Sequence, residues 1–395
     1  MHKQSGNKQS GSGLRQWLNH LTIRWFGKPL TRVLDYCVGV PLVGALALMH
    51  RRRAFPSGIE RVGVLCSPTM GDTVLFSAVL LDLRAHFGTA VEIVHVCGSK
   101  NLLAAELLRG ANWHIVIDLT RPRLAMRQLR AERLDVLFDF SSWQRVTAAL
   151  ALTSQSRYTV GFRSAGQHRG RGYDVTVTHR ADQHELDNFR DLLRGAGIRT
   201  AAEPQITVSD VALREAWQEE RDIVAFHPWP AGGPQSLREW PEEHWWAIAT
   251  KLARPGTVFA ITGSPAERAR SEAFAERLAS AANVRAAVFT GGDGLRQLVT
   301  LLRKARLVVS VNTGVMHLAA VAGAPTVSLN GPTAERRWGP RGRCCVGVAP
   351  ADGSGGYLHF GFEFHHRMPD VMNRITADQV LDASSILLAR CGHPV

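Results

Sequence analysis

The chain has 395 residues, of which 45% are hydrophobic, 21% charged and 7% aromatic. Those proportions exclude a disordered, collagenous or coiled-coil chain, and the length suits two domains at roughly 100–200 residues each. Lys and Arg number 47 against 34 Asp and Glu, a net +13, which calls for an anionic partner such as nucleic acid, a phosphate-bearing substrate or an acidic membrane face.

Residues 1–60 hold nine Lys or Arg against Asp35 and Glu60, more than half of the positive surplus. The longest apolar run, fourteen residues from Tyr36 to Met49, lies here and is closed by Arg51, Arg52 and Arg53. It falls short of the ~20 residues that cross a bilayer core. Basic flanks around such a run predict a helix lying on an anionic membrane surface through residues 14–53, where each Lys or Arg adds ~1 kcal/mol. Packing of the helix on the protein body is the other reading. A signal peptide around Ala45-Leu46-Ala47 is rejected, because the polar leader is long and the apolar run starts late. Residues 1–13, rich in Ser, Gly, Lys and Gln, are expected to be a mobile tail.

From Arg61 onward, short β-branched runs alternate with helical stretches, the rhythm of parallel sheets. Strands are predicted at Arg61–Cys66, Val91–Val96, Ile115–Leu119 and Asp135–Phe140, then at Ile223–His227, Thr257–Thr262, Ala287–Thr290, Leu307–Val311 and Thr326–Leu329. Helices fall between them, including one long helix over Asp72–Phe87, and Ala377–Arg390 closes the chain. The stretch Gly161–Tyr173 interrupts the rhythm and is predicted to be a long loop. Two such series predict an α/β chain of two doubly wound domains facing a cleft: an extension over 1–60, a first domain over 61–205 and a second over 206–395.

Five segments offer chemistry. Ser67-Pro68-Thr69-Met70-Gly71-Asp72-Thr73 follows the first strand, and Asp72 is either a helix cap or a carboxylate aimed into the cleft. Asn312-Thr313-Gly314-Val315-Met316-His317 joins a strand to a helix whose free amides suit a phosphate, with Gly314 allowing close approach. Arg238, before Trp240-Pro241, leaves a Gly- and Pro-rich loop and can clamp a diphosphate or sit solvated. Glu267, after Gly263-Ser264-Pro265, either steadies its helix or binds a ribose. Thr333, after Gly331-Pro332, is free to meet a phosphate.

In this order the segments resemble glycosyltransferase family 9, the bacterial lipopolysaccharide heptosyltransferases. Met70-Gly71-Asp72 resembles its acceptor-side signature. Arg238-x-Trp240-Pro241-x-Glu243, Gly263-x-x-x-Glu267, Thr313-Gly314-x-x-His317-x-Ala319-Ala320 and Gly331-Pro332-Thr333 resemble its donor-side signatures. The resemblance covers about Arg61 to Arg390 and implies a GT-B fold, with two Rossmann-like domains closing over a nucleotide-sugar. It implies an inverting, metal-independent transferase without a cofactor, with ADP-heptose as donor and a lipopolysaccharide core or lipid-linked acceptor. Asp72 becomes the general base, Arg238, the Thr313 and Gly314 amides and His317 hold the departing diphosphate, and Thr333 lies on the donor side. Glu267 holds the ribose, and Met316 lines the base pocket. Asn312 stands where the family usually has Asp, a residue that touches donor sugar hydroxyls. The loop Pro228–Leu237 is longer and richer in Pro and Gly than usual, and the extension lies outside the family core.

The remaining clusters carry less. Arg163, Arg169 and Arg171 either grip an anionic acceptor or form a solvated loop. His359, His365 and His366 among phenylalanines suit acceptor contact or loop packing better than a metal. Six cysteines without a C-x-x-C pair read as reduced thiols in a cytoplasmic compartment, without zinc. The expected location is therefore cytoplasmic and peripheral on the inner membrane. Rival functions are a nucleotide-sugar epimerase or hydrolase, or a non-catalytic nucleotide-sugar-binding protein. Nucleic-acid binding is set aside, because the charge sits in the extension and no such motif accompanies it.

Overall fold

The computed structural model describes residues 29–65, 69–209, 211–231, 237–290, 294–358 and 368–392. Two six-stranded parallel sheets follow one another along the chain. The first comprises β1 (Arg61–Leu65), β2 (Glu92–Cys97), β3 (Trp113–Val116), β4 (Val136–Asp139), β5 (Tyr158–Arg163) and β6 (Val175–Thr178). The second comprises β7 (Asp222–His227), β8 (Thr257–Gly263), β9 (Arg285–Thr290), β10 (Leu307–Val311), β11 (Thr326–Leu329) and β12 (Cys345–Val348).

The orders are β3-β2-β1-β4-β5-β6 and β12-β11-β10-β7-β8-β9. Each sheet, counted from its own first strand, has the Rossmann order, which reverses at β1/β4 and at β7/β10. The fold is GT-B. Central strands such as β10 are buried at every position, so they run apolar without alternation, as helices on both faces require. One apolar cluster contains Val62 and Phe138 of the first sheet together with Ile223 and Val308 of the second and Leu318 of the helix Gly314–Ala322. The two domains thus share packed surface beside the cleft.

Several elements differ from the sequence expectation. The predicted long loop begins only at Ser164, because Gly161 to Arg163 complete β5, and β6 follows it. Gly161 is required there, since the Tyr173 ring fills the space of its missing side chain. β12, written Cys-Val-Gly-Val, was hidden by its composition. The first long helix divides into Met70–Leu75 and Ser77–Phe87. The cysteine reading is also corrected: Cys344 and Cys391 form a disulfide with Cα atoms 6.0 Å apart. They lie 47 residues apart and meet because the last helix, Ala377–Arg390, returns along β11 and β12. The cysteines therefore no longer argue for a reducing compartment.

The extension is helical over Pro29–Cys37 and Gly39–Met49. Taken as one stretch, Leu30–Met49 is 20 residues with a mean hydropathy of 1.6, longer than the apolar run suggested. One face is docked on the first domain. The Asp35 carboxylate accepts from the amides of Arg145 (3.0 Å) and Val146 (2.9 Å), so it caps the helix Arg145–Thr153 from outside. It also pairs with the buried Arg145 guanidinium at 3.2 Å. Gly39 admits the Arg145 side chain where a Cβ would stand. Further on, Arg53 and His50 both bond the buried Asp174 carboxylate. Asp35→Ala should lower stability by ~1–3 kcal/mol, since it removes a cap and half-uncovers a buried charge. Urea titration should show the midpoint fall at constant slope.

Candidate active site

The segments leaving both switch points converge on a cavity of about 210 Å³. Thr69, Gly71 and Asp72 follow β1, and Phe140, Trp143 and Gln144 follow β4. Asn312, Thr313, Gly314 and His317 follow β10 across the cleft, with Arg238 and Thr333 beside them.

The helices Met70–Leu75 and Gly314–Ala322 meet here by their first turns. A Cβ on Gly71 would stand 2.7 Å from His317 Cδ2, and one on Gly314 would stand 2.6 Å from Met70 Cε. Each glycine makes room for a side chain of the other domain. The space expected to admit an anion at Gly314 is therefore filled by Met70, and an anion would meet the backbone amides instead. Those amides have no side-chain cap, and the buried Thr313 hydroxyl has no partner among the described residues. The positive end of the helix is left open towards the cavity.

Asp72 is 5% exposed. Burial pushes its carboxyl up to about 7, against the opposing hydrogen bond from the Thr69 hydroxyl at 2.7 Å. The negative Glu185 nearby raises it further, and Arg337 lowers it. Glu185, also in the cavity wall, behaves oppositely. Burial alone would raise it, yet His179 at 3.0 Å and Arg337 at 3.3 Å hold it at about 2. Two neighbouring carboxylates are thus driven apart, one kept ionised and one poised near neutrality.

His317 is buried, and desolvation with His184 beside it brings its pKa down to about 3. It is a neutral imidazole with Nδ1 unpartnered among the described residues, so it offers a ligand one N–H donor and one acceptor nitrogen but no positive charge. His184 is fixed as the Nε2–H tautomer, because Nε2 lies 3.0 Å from the Gly339 carbonyl and Nδ1 accepts from the Leu186 amide. Arg238 donates to the carbonyls of Asn312 (2.7 Å) and Ala231 (2.8 Å), which aims it along the cleft rim.

Asn312 donates its amide nitrogen to Asn330 Oδ1 (2.7 Å) and to the Trp338 carbonyl (2.8 Å). A main-chain carbonyl can only accept, so the amide orientation is fixed and Oδ1 is the group left for a ligand. A carboxylate at this position would face two acceptors.

Other predicted residues lie elsewhere. Met316 is fully buried and does not line the cavity. Glu267 accepts from the Ser264 amide at 2.8 Å in a capping box, outside the cavity wall. Arg163, Arg169 and Arg171 line a second cavity on the first domain. Arg169 is wholly buried against Asp139 and Tyr173. Cys66, Ser67, Pro68, most of the loop before Arg238 and the histidines 359, 365 and 366 fall outside the described residues. Among those described, no group of three or more His, Cys, Asp or Glu could hold a metal ion. The sequence reading missed Glu185, Trp143 and Gln144, whose segments carry no turn glycine to mark them, and Trp338, which the turn pair Gly339-Pro340 could have marked.

The family model for "Glycosyltransferase family 9 (heptosyltransferase)" matches residues 123–350, more than half of the chain. The chain belongs to that family. It is 29% identical over 117 residues to lipooligosaccharide heptosyltransferase 2 of Haemophilus influenzae, covering 30% of this chain and 33% of that protein. Its counterpart from Haemophilus ducreyi is 28% identical over 176 residues, covering 43% and 49%. These matches therefore span a third to a half of the length of the curated relatives. The E. coli ADP-heptose lps heptosyltransferase II structure superimposes with a TM-score of 0.65 at 19% identity, over 83% of this chain and 98% of that one.

Asn312→Asp tests the reading of that amide. An ionised carboxylate there loses two hydrogen bonds and should cost ~2–4 kcal/mol. Its folded-state pKa would be raised, because only the protonated form can still donate. In thermal unfolding the loss should therefore appear as pH rises above ~4 and level off about 1.5–3 pH units higher.

Proposed function

We propose that this chain is an inverting, metal-independent transferase that moves heptose from ADP-heptose to a lipopolysaccharide core or lipid-linked acceptor. The observation that carries this is Asp72, a buried carboxylate poised near neutrality, facing an uncapped helix N-terminus across one cleft. Family membership favours transfer over the epimerase, hydrolase and binding-protein readings.

The acceptor hydroxyl attacks the anomeric carbon while its proton passes to Asp72. The bond from that carbon to the diphosphate breaks, and its electron pair goes to the phosphate oxygen. Attack opposite the leaving group inverts the anomeric centre. Charge on the departing nucleoside diphosphate is met by Arg238, by the Thr313 and Gly314 amides and by the neutral His317 N–H, donors held in place before reaction. Asn312 Oδ1 accepts from a sugar hydroxyl. Thr333 borders the same space.

The extension supports work at the cytoplasmic face of the inner membrane, with the chain peripheral. Its outward face carries Leu34, Val38, Leu42, Leu48 and Met49, all exposed and spaced at helical intervals, and Arg51 to Arg53 follow at its end. Its docked face belongs to the first domain, which favours a helix lying along the membrane surface.

Asp72→Asn should abolish transfer while ADP still raises the melting temperature; retained turnover would reject the base. In the wild type, kcat/KM should fall as pH drops below about 7, because the base must be ionised. An acid limb near pH 4 would contradict the poised carboxyl. Leu34→Glu/Leu42→Glu should weaken flotation with vesicles rich in anionic phospholipid, and unchanged flotation would remove the membrane reading.

A further inference from the structure

A cavity of about 820 Å³ lies away from the cleft, between the helix Gly39–Met49 and the loop after β5. Its walls combine two chemistries. Arg52, Arg163, Arg169 and Arg171 supply guanidinium groups, and Gly44 and Leu48 supply an apolar side from the helix. Among the described residues no carboxylate lines it.

The shape is built by particular residues. Gly170 lies against Arg163 Cα and Cβ, within 2.7 Å of where its own Cβ would stand. Gly172, at φ +95°, meets the Ala47 backbone at 3.1 Å from the same imagined atom. These two glycines fold the loop back on β5 and press it to the helix. Gly44 has nothing within 4 Å of its Cβ position, so the space beside it stays open.

The charge is arranged for a ligand. Arg52 and Arg171 are exposed and have no carboxylate partner among the described residues, and Arg163 bonds only the Thr178 hydroxyl at 3.0 Å. Arg169 is 0% exposed, and its Nη2 bonds Asp139 and the Tyr173 hydroxyl. Its Nε and Nη1 have no hydrogen-bond partner. Arg169 is already paired with Asp139, but the three exposed guanidinium groups in front of it have no carboxylate in the described wall, and a bound anion would relieve their mutual repulsion. Phosphate geometry suits such forks, which bind it bidentately.

We infer that this cavity binds the phosphate head group of an anionic phospholipid, with the acyl chains leaving along Gly44 and Leu48. Arg52 belongs to the extension and Arg163 to the first sheet, so a bound lipid ties the helix to the domain. The inference rests on the membrane reading only for the source of the lipid, and a soluble lipid tests the cavity by itself.

Isothermal titration of the full chain with dihexanoyl phosphatidic acid below its micelle concentration provides the test. Saturable binding is expected, weakened roughly tenfold or more in Arg163→Ala/Arg171→Ala. Both side chains are exposed, and an unchanged melting temperature will verify the fold. Dihexanoylglycerol, lacking phosphate, should not bind, and inorganic phosphate should compete weakly. Leu34→Glu/Leu42→Glu should keep the soluble lipid even where it loses vesicles, so the two readings fail separately. Equal binding by the arginine variant overturns the inference. So does equal binding of dihexanoylglycerol, or tight binding of inorganic phosphate with none of the lipid.

Discussion

The site depends on one close approach. Two helices from different domains meet by their first turns because Gly71 and Gly314 lack side chains, and His317 and Met70 fill the room so made. Had either position carried a Cβ, the contact would open by the width of a methyl group. His317 would then leave Asp72's side of the cleft, and the amides of the Gly314–Ala322 helix would recede from the acceptor side. Reaction between a hydroxyl on one domain and an anomeric carbon on the other demands near contact of the two centres.

Charge across the same seam acts on Asp72 beside its burial. Arg337 belongs to the second domain, yet it pairs with Glu185 of the first and lowers the pKa of Asp72. Arg341 with Asp187 and His184 with the Gly339 carbonyl add to the same rim. Separation of the domains would take Arg337 away from both carboxylates. Glu185 would lose a partner, and Asp72 would lose the burial that does most to raise its pKa, so the closed cleft is what holds that carboxyl near 7. Closure and the ionisation of both carboxyls are thus coupled.

The sequence revealed the fold where local rules govern it. Parallel strands buried on both faces are apolar runs, so β1, β4, β7, β8, β10 and β11 were visible, whereas β5, β6 and β12 mix Gly, Thr, Arg or Cys into short strands and were not. Helix-start residues such as Asp72 and Thr313 were legible because a strand, a turn and a glycine mark them. Glu185 was not, since its importance comes from His179 and Arg337, which only the tertiary fold brings together. Glu267 and Met316 are the converse case. Their spacing matched a signature, but a capping bond engages one and core packing the other. The Cys344–Cys391 bridge was hidden for the same reason as Glu185.

The extension joins these themes. It lies outside the strand and helix rhythm, yet Asp35 caps the helix Arg145–Thr153, whose preceding residues Trp143 and Gln144 line the cleft. Arg32 lies over the Trp143 ring at 5.0 Å. The helix is thus part of the framework that positions one cleft wall, and any force on its exposed face is transmitted through Asp35 and Arg145 to that wall. Removing it would change the site as well as the surface. Point changes on its outer face therefore separate membrane contact from catalysis more cleanly than truncation, which would uncap a helix and expose the buried Arg145.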